Sequence, residues 1–159
     1  MTDFECLLQM LSSGNVQFVI VGGVAATIHG SARLTTDLDI VYDRSAENVR
    51  RLANAIAPLG PHLRGAPRDL PFRFDEATIR ARLNFTLATD AGPLDLLGEM
   101  TGVGDFTALN NHTLDVKLFG RSYHCIDLDT LIKAKRAAGR AKDLDVVAEL
   151  EAIRDEPGT

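Results

Sequence analysis

An apolar run that ends on two glycines, followed thirteen residues later by a strand with acids on one side, leaves this chain few ways to fold. Val19, Ile20 and Val21 form a β-branched stretch suited to a buried strand, and Gly22-Gly23 permits a tight turn with close backbone approach. A short helix over 24–29 follows. Its first N–H groups lack intrahelical partners and carry the positive end of the helix dipole, which suits an anionic phosphate. In the strand predicted over 37–41, side chains alternate, so Asp37 and Asp39 share one face and Leu38 and Ile40 the other. Two carboxylates about 7 Å apart on one strand face repel each other unless a positive charge sits between them. A hard divalent cation, Mg²⁺ or Mn²⁺, meets that need with oxygen ligands. Taken singly, a glycine pair is an ordinary turn and an Asp-x-Asp alternation suits a solvated edge strand. The two together, one short helix apart, point to a site.

Val21-Gly22-Gly23 and Asp37-Leu38-Asp39-Ile40 resemble the signature of the nucleotidyltransferase superfamily that includes DNA polymerase beta and the aminoglycoside nucleotidyltransferases, at the long end of its spacing. Arg33, the run Thr35-Thr36-Asp37 and the segment from Leu131 to Leu150 look like the small prokaryotic subgroup related to toxin-antitoxin nucleotidyltransferases. Many members carry Ser where this chain has Gly23, and that hydroxyl helps hold a phosphate. The resemblance implies an α/β (α+β) polymerase-beta-like fold, a mixed sheet flanked by helices with further helices at the C-terminus. It implies one nucleotidyltransferase domain over 1–159, with a core of about 15–126 and a helical segment of about 127–156. It also implies a third acid from a later strand that helps activate the attacking hydroxyl. Asp95, in Gly92-Pro93-Leu94-Asp95-Leu96-Leu97, is the choice; Asp90 in a turn and Glu99 beyond the strand are its rivals.

The implied activity is metal-dependent transfer of NMP from an NTP such as ATP to a hydroxyl, with release of pyrophosphate. Asp37, Asp39 and Asp95 are the expected catalytic residues and metal ligands, and Gly22, Gly23, Arg33 and Thr36 are expected at the nucleotide. Lys133, Lys135, Arg136, Arg140 and Lys142 fall in an acid-free stretch of an otherwise acidic chain. They suit either a solvated helix face or a phosphate, and the resemblance favours Lys133 as a nucleotide contact, with Lys135, Arg136 and Lys142 behind it. Asp143 orients a basic neighbour or simply begins the last helix. The acceptor implied is tRNA or a partner protein, with a cognate toxin or antitoxin as partner. A nucleotidyltransferase-like module that binds without catalysing is the alternative, and an antibiotic-modifying transferase is disfavoured because such enzymes usually carry a larger second domain.

Length and composition agree with a small cytoplasmic enzyme: 159 residues, 45% hydrophobic, is enough for one core. No apolar run is long enough for a membrane span and no leader is evident, so neither insertion nor secretion is expected. Cys6 and Cys125 read as reduced buried thiols, and the histidines show no ligand spacing. A net charge of −5 argues against a generic nucleic-acid coat. Helices are predicted at 3–11 and 46–57, the latter capped by Ser45, with hairpin strands at 83–89 and 93–97 and at 112–118 and 122–126. The last helices span 127–138 and 141–154, broken at Gly139. The proline-rich stretch 58–71 carries Arg64 and Arg68 and reads as a plain surface connection or a loop near the acceptor, and 98–109 reads as a loop.

Overall fold

The computed structural model describes residues 1–67 and 69–157, so Arg68 lies outside the described residues. In chain order the elements are α1 (Phe4–Ser13), β1 (Phe18–Val21), α2 (Gly22–Ile28), β2 (Leu38–Tyr42), α3 (Ala46–Ile56) and a 3-10 turn (Ala57–Leu59). Next come β3 (His62–Leu63), α4 (Glu76–Ala81), β4 (Asn84–Thr89), β5 (Gly92–Leu97), β6 (Glu99–Met100), β7 (Gly104–Asp105) and α5 (Phe106–Leu109). β8 (Thr113–Leu118), β9 (Arg121–Ile126), α6 (Leu128–Ala138) and α7 (Ala141–Arg154) complete the order. Helix starts follow local chemistry. Asp3, Ser45, Asp75, Asp105 and Asp127 each accept a hydrogen bond from the backbone N–H three residues on, which satisfies a donor the helix itself cannot. Gly139, at φ 68°, ends α6 in the left-handed conformation that glycine adopts without a Cβ penalty.

A seven-stranded mixed sheet runs in the order β3-β4-β5-β2-β1-β9-β8, with β1–β9 and β2–β5 parallel and the other neighbours antiparallel. Alternation works as the sequence predicts in the strands that matter. Leu38 and Ile40 of β2, Phe85 and Leu87 of β4, and Leu94 and Leu96 of β5 are buried in one apolar cluster with Leu7, Leu8 and Leu11 of α1 and Leu52 and Ile56 of α3. Leu131 and Ile132 of α6 and Val147 and Leu150 of α7 join that same cluster. At roughly 1.5–3 kcal/mol for each large apolar side chain taken out of water, this cluster is what holds the strands in register. Among the described residues, no helix is long and apolar enough to cross a membrane.

Several elements depart from the predicted outline. α2 begins at Gly22 itself, not two residues later. The proline-rich connection contains β3, which adds an edge strand through His62–Ala88 and Leu63–Leu87. α4 is absent from the predicted outline although Asp75 and Glu76 supply its start, because no long apolar period marks a six-residue helix. The 98–109 loop holds the small β6–β7 hairpin and α5.

Candidate active site

Register builds the site. Val21 of β1 lies opposite Asp39 of β2, Asp39 opposite Asp95 of β5, and Asp95 opposite Thr86 of β4. Directly opposed residues project from the same face of a sheet, so Asp39 and Asp95 stand side by side. Arg64 extends this row at the end of β3, its N–H donating to the Thr86 carbonyl at 3.0 Å. Asp37 sits at the entry to β2, two residues before Asp39 on the same side. One carboxylate oxygen from each of Asp37, Asp39 and Asp95 lies within 4.8 Å of the others.

The glycine turn is shaped by these acids. Gly22 has φ +67°, and a Cβ built on it would overlap the Asp39 carboxylate, so only glycine allows Asp39 to lie against the turn. At Gly23 a Cβ would come within 2.5 Å of Thr35 Oγ1 and 2.9 Å of Thr35 Cβ. The Thr35 side chain therefore fills the place a residue-23 side chain would take, while its hydroxyl donates to the Asp37 carbonyl at 3.2 Å. Thr36 Oγ1 donates to Asp37 Oδ1 at 2.9 Å, and its own carbonyl accepts from Thr2. Among the described residues no side chain caps α2, which leaves its first N–H groups without a side-chain acceptor there.

The three acids are not equivalent. Asp39 Oδ1 is buried with no hydrogen-bond partner. Burial pushes the Asp39 carboxyl up to about 7, the charge and hydrogen bond of Asp95 and the charge of Asp37 add to this, and Lys135 opposes it. Asp37 and Asp95 instead share the Arg64 guanidinium, which pairs with Asp37 Oδ2 at 3.3 Å and closely with Asp95 Oδ1. Where the sequence reading puts a cation between carboxylates, the structure thus also puts an arginine. An orphaned buried oxygen among three hard oxygen donors fits a divalent ion such as Mg²⁺ or Mn²⁺.

Of the lysines predicted at the nucleotide, Lys135 is the one brought to the acids. It lines a hollow of about 210 Å³ together with Gly22, Asp39, Leu97, Met100 and Arg140. Asp143, buried at the start of α7, lies 3.6 Å from Lys135 Nζ and accepts from Arg140 Nε at 2.6 Å and Nη2 at 3.2 Å. Burial works to raise the Asp143 carboxyl, but the Arg140 hydrogen bonds and charge, with Lys135 behind them, overcome it and hold it below the usual carboxylate range. Lys133 points elsewhere, into a separate hollow with His112 and Asp127. Arg136 pairs with Glu151 at 2.5 Å, and Lys142 is exposed on α7. Arg33 pairs with Glu149 at 3.6 Å and lines a smaller hollow with Gly23, Thr35 and Lys135. Asp90 closes the turn after β4, its N–H on the Leu59 carbonyl, and Glu99 is exposed in β6. Arg64 and Thr35 had no role in the sequence reading beyond a loop and a familiar run. Arg140 and Asp143, three residues apart at the start of a helix, were the legible signal for the basic wall.

This mixed sheet, with acids on β2 and β5 beside a glycine turn, has the nucleotidyltransferase fold. The lincosamide antibiotic adenylyltransferase LnuA, in its lincomycin-bound form, superposes with a TM-score of 0.60 at 15% identity, over 96% of this chain and 98% of that one. TM1012 of Thermotoga maritima, a candidate nucleotidyltransferase, gives 0.56 at 16% identity over 96% of both chains. ANT(2″)-Ia, in complex with adenylyl-2″-tobramycin, gives 0.57 at 14% identity over 94% and 91%. The sequence matches no family model and no curated protein. LnuA is matched over 98% of its chain, so that antibiotic adenylyltransferase carries no larger second domain beyond the part it shares with this chain.

Proposed function

We propose that this chain transfers a nucleoside monophosphate from a nucleoside triphosphate to a hydroxyl group, with Asp37, Asp39 and Asp95 at the centre of the reaction. The observation that carries this is the convergence of Asp37 with the in-register pair Asp39 and Asp95 beside the Gly22 turn, with Asp39 Oδ1 buried and unpartnered among the described residues. The carboxylates would hold Mg²⁺ or Mn²⁺, which when bound supplies Lewis-acid charge at phosphate oxygens. Asp95, on the far side of Asp39 from the glycine turn, would take the proton of the attacking hydroxyl once Arg64 has moved from it. The hydroxyl oxygen bonds to the α-phosphorus, the bond from phosphorus to the bridging oxygen breaks, and pyrophosphate leaves. The Gly22–Gly23 backbone and Lys135, steadied by Asp143, receive the phosphates, while the hollow lined by Leu97 and Met100 takes the rest of the nucleotide. Arg33 and Thr36 hold the loop that carries Asp37.

ATP is the first nucleotide to test, because LnuA is an adenylyltransferase and ANT(2″)-Ia is in complex with adenylyl-2″-tobramycin. For the acceptor, the toxin-antitoxin resemblance favours tRNA or a partner protein in the cytoplasm. The near end-to-end likeness to LnuA and ANT(2″)-Ia favours a second reading, a hydroxyl on a small molecule of antibiotic type. Purified protein incubated with each α-labelled NTP, with and without Mg²⁺, against tRNA, protein and small-molecule pools separates these. Label should move to one acceptor class in a Mg²⁺-dependent way and be lost in Asp39→Asn. Nucleotide binding with no pyrophosphate released in any combination would instead make the chain a binding or antitoxin module.

A further inference from the structure

We infer that Arg64 is a resident counter-ion that restricts the aspartate cluster to one divalent cation until a polyphosphate draws the guanidinium away. The inference rests on the metal-dependent reading above and deepens it. Arg64 joins Asp37, at the entry to β2, to Asp95, in β5, and so occupies oxygens that a second cation would need. Asp39 is left out of this pairing, with one oxygen buried and unpartnered, so a first cation meets no guanidinium there. One position in the cluster is open and the other is filled.

The backbone beneath Arg64 is anchored by a hydrogen bond, while the contacts described for its side chain are those to the two acids. Its N–H is locked to the Thr86 carbonyl, and Gly65, at φ +82° with open space around it, turns the chain away immediately afterwards. The side chain is 28% exposed, and Nε makes no hydrogen bond, so the guanidinium is only partly satisfied where it sits. These pairs are half-buried and only partly screened by water, and the buried Nε remains an unsatisfied donor that a new acceptor can use. A polyphosphate offers the planar guanidinium a stronger, two-pronged partner. Nucleotide arrival therefore both attracts Arg64 and vacates the oxygens of Asp37 and Asp95.

Mn²⁺ titration of the full chain without nucleotide, followed by electron paramagnetic resonance, tests this directly. Wild type should bind one ion. Arg64→Ala should bind two, the second roughly five- to tenfold more tightly than in wild type, as expected from losing two partly exposed ion pairs. Arg64→Lys, which keeps the charge but cannot bridge both acids, should fall between. A non-hydrolysable nucleotide analogue should bring the second ion to wild type. Melting in EDTA and then in Mn²⁺ supplies a reading independent of stoichiometry: the rise on adding metal should be larger in Arg64→Ala, or in Arg64→Gln if the alanine variant is poorly folded. Two ions in nucleotide-free wild type, or identical titrations and melting increments in wild type and variants, overturn the inference and leave the transferase reading standing. Failure of every form to bind Mn²⁺ overturns both.

Discussion

Asp39 is stabilised in its protonated form by the fold, and that gives the cation-free protein a signature in pH. Its carboxyl keeps a proton up to about 7 in the folded chain, because of burial and then its acidic neighbours, whereas the ordinary value is 3.8. Between those values the folded state binds more protons than the unfolded one, so this stabilising contribution is lost as pH rises. Asp143 and Glu149, whose carboxyls are held below their ordinary values, are already ionised in both states above about pH 5. In EDTA the melting temperature should therefore fall from pH 5 to pH 7 in wild type and stay nearly level in Asp39→Asn; matching slopes would refute the assignment. The Gly23–Thr35 contact gives a second test at this scale. Gly23→Ser places atoms where Thr35 sits, an overpacking that costs about 1–3 kcal/mol. Adding Thr35→Ala should return most of that stability in a denaturant titration. If the single change is neutral, the two side chains do not compete for that space.

At the scale of elements, the pairing of α6 with α7 sets the basic wall of the hollow. Gly139 turns the chain so that Asp143, in the first turn of α7, lies back against Lys135 at the end of α6. Asp143→Ala removes the acid 3.6 Å from Lys135 Nζ and leaves Arg140 without its fork. We expect a loss of about 1–3 kcal/mol in stability, the usual cost of breaking hydrogen bonds to a buried charged group. Nucleotide affinity should weaken in the same variant, measured by titration calorimetry at a temperature where both proteins are folded. Unchanged affinity would mean that Lys135 needs no positioning. The loop before β2 is tied down by the same helix pair, since Glu149 of α7 accepts from Ser31 Oγ at 2.6 Å and from the Ala32 N–H at 3.0 Å. α7 thus reaches the site along two routes.

For the molecule as a whole, the C-terminal helices belong to the core that supports the acids. Val147 and Leu150 are buried in the same cluster as the β2 and β5 leucines. Ending the chain after Gly139 would strip those side chains, the Asp143 anchor and the Glu149 clamp together. At roughly 1.5–3 kcal/mol per large apolar group, the loss rivals the whole stability of a small domain, so the truncated chain should lack a cooperative melting transition by circular dichroism. A sharp transition near the wild-type temperature would show that residues 1–139 fold alone.

Local patterns made the main strands, the Ser45-capped helix and the glycine turn readable, because strand alternation and capping depend only on neighbours in the chain. Asp37-Leu38-Asp39-Ile40 by itself determined which side chains face the core and which face the site. The sequence could not show that Arg64 would reach across β4 to two acids, or that Thr35 would fill the space beside Gly23, or that Lys135 rather than Lys133 would face Asp39. Those facts depend on the β3–β4 and β2–β5 registers and on the angle between α6 and α7, which are set by how the buried side chains pack and not by any short stretch of residues.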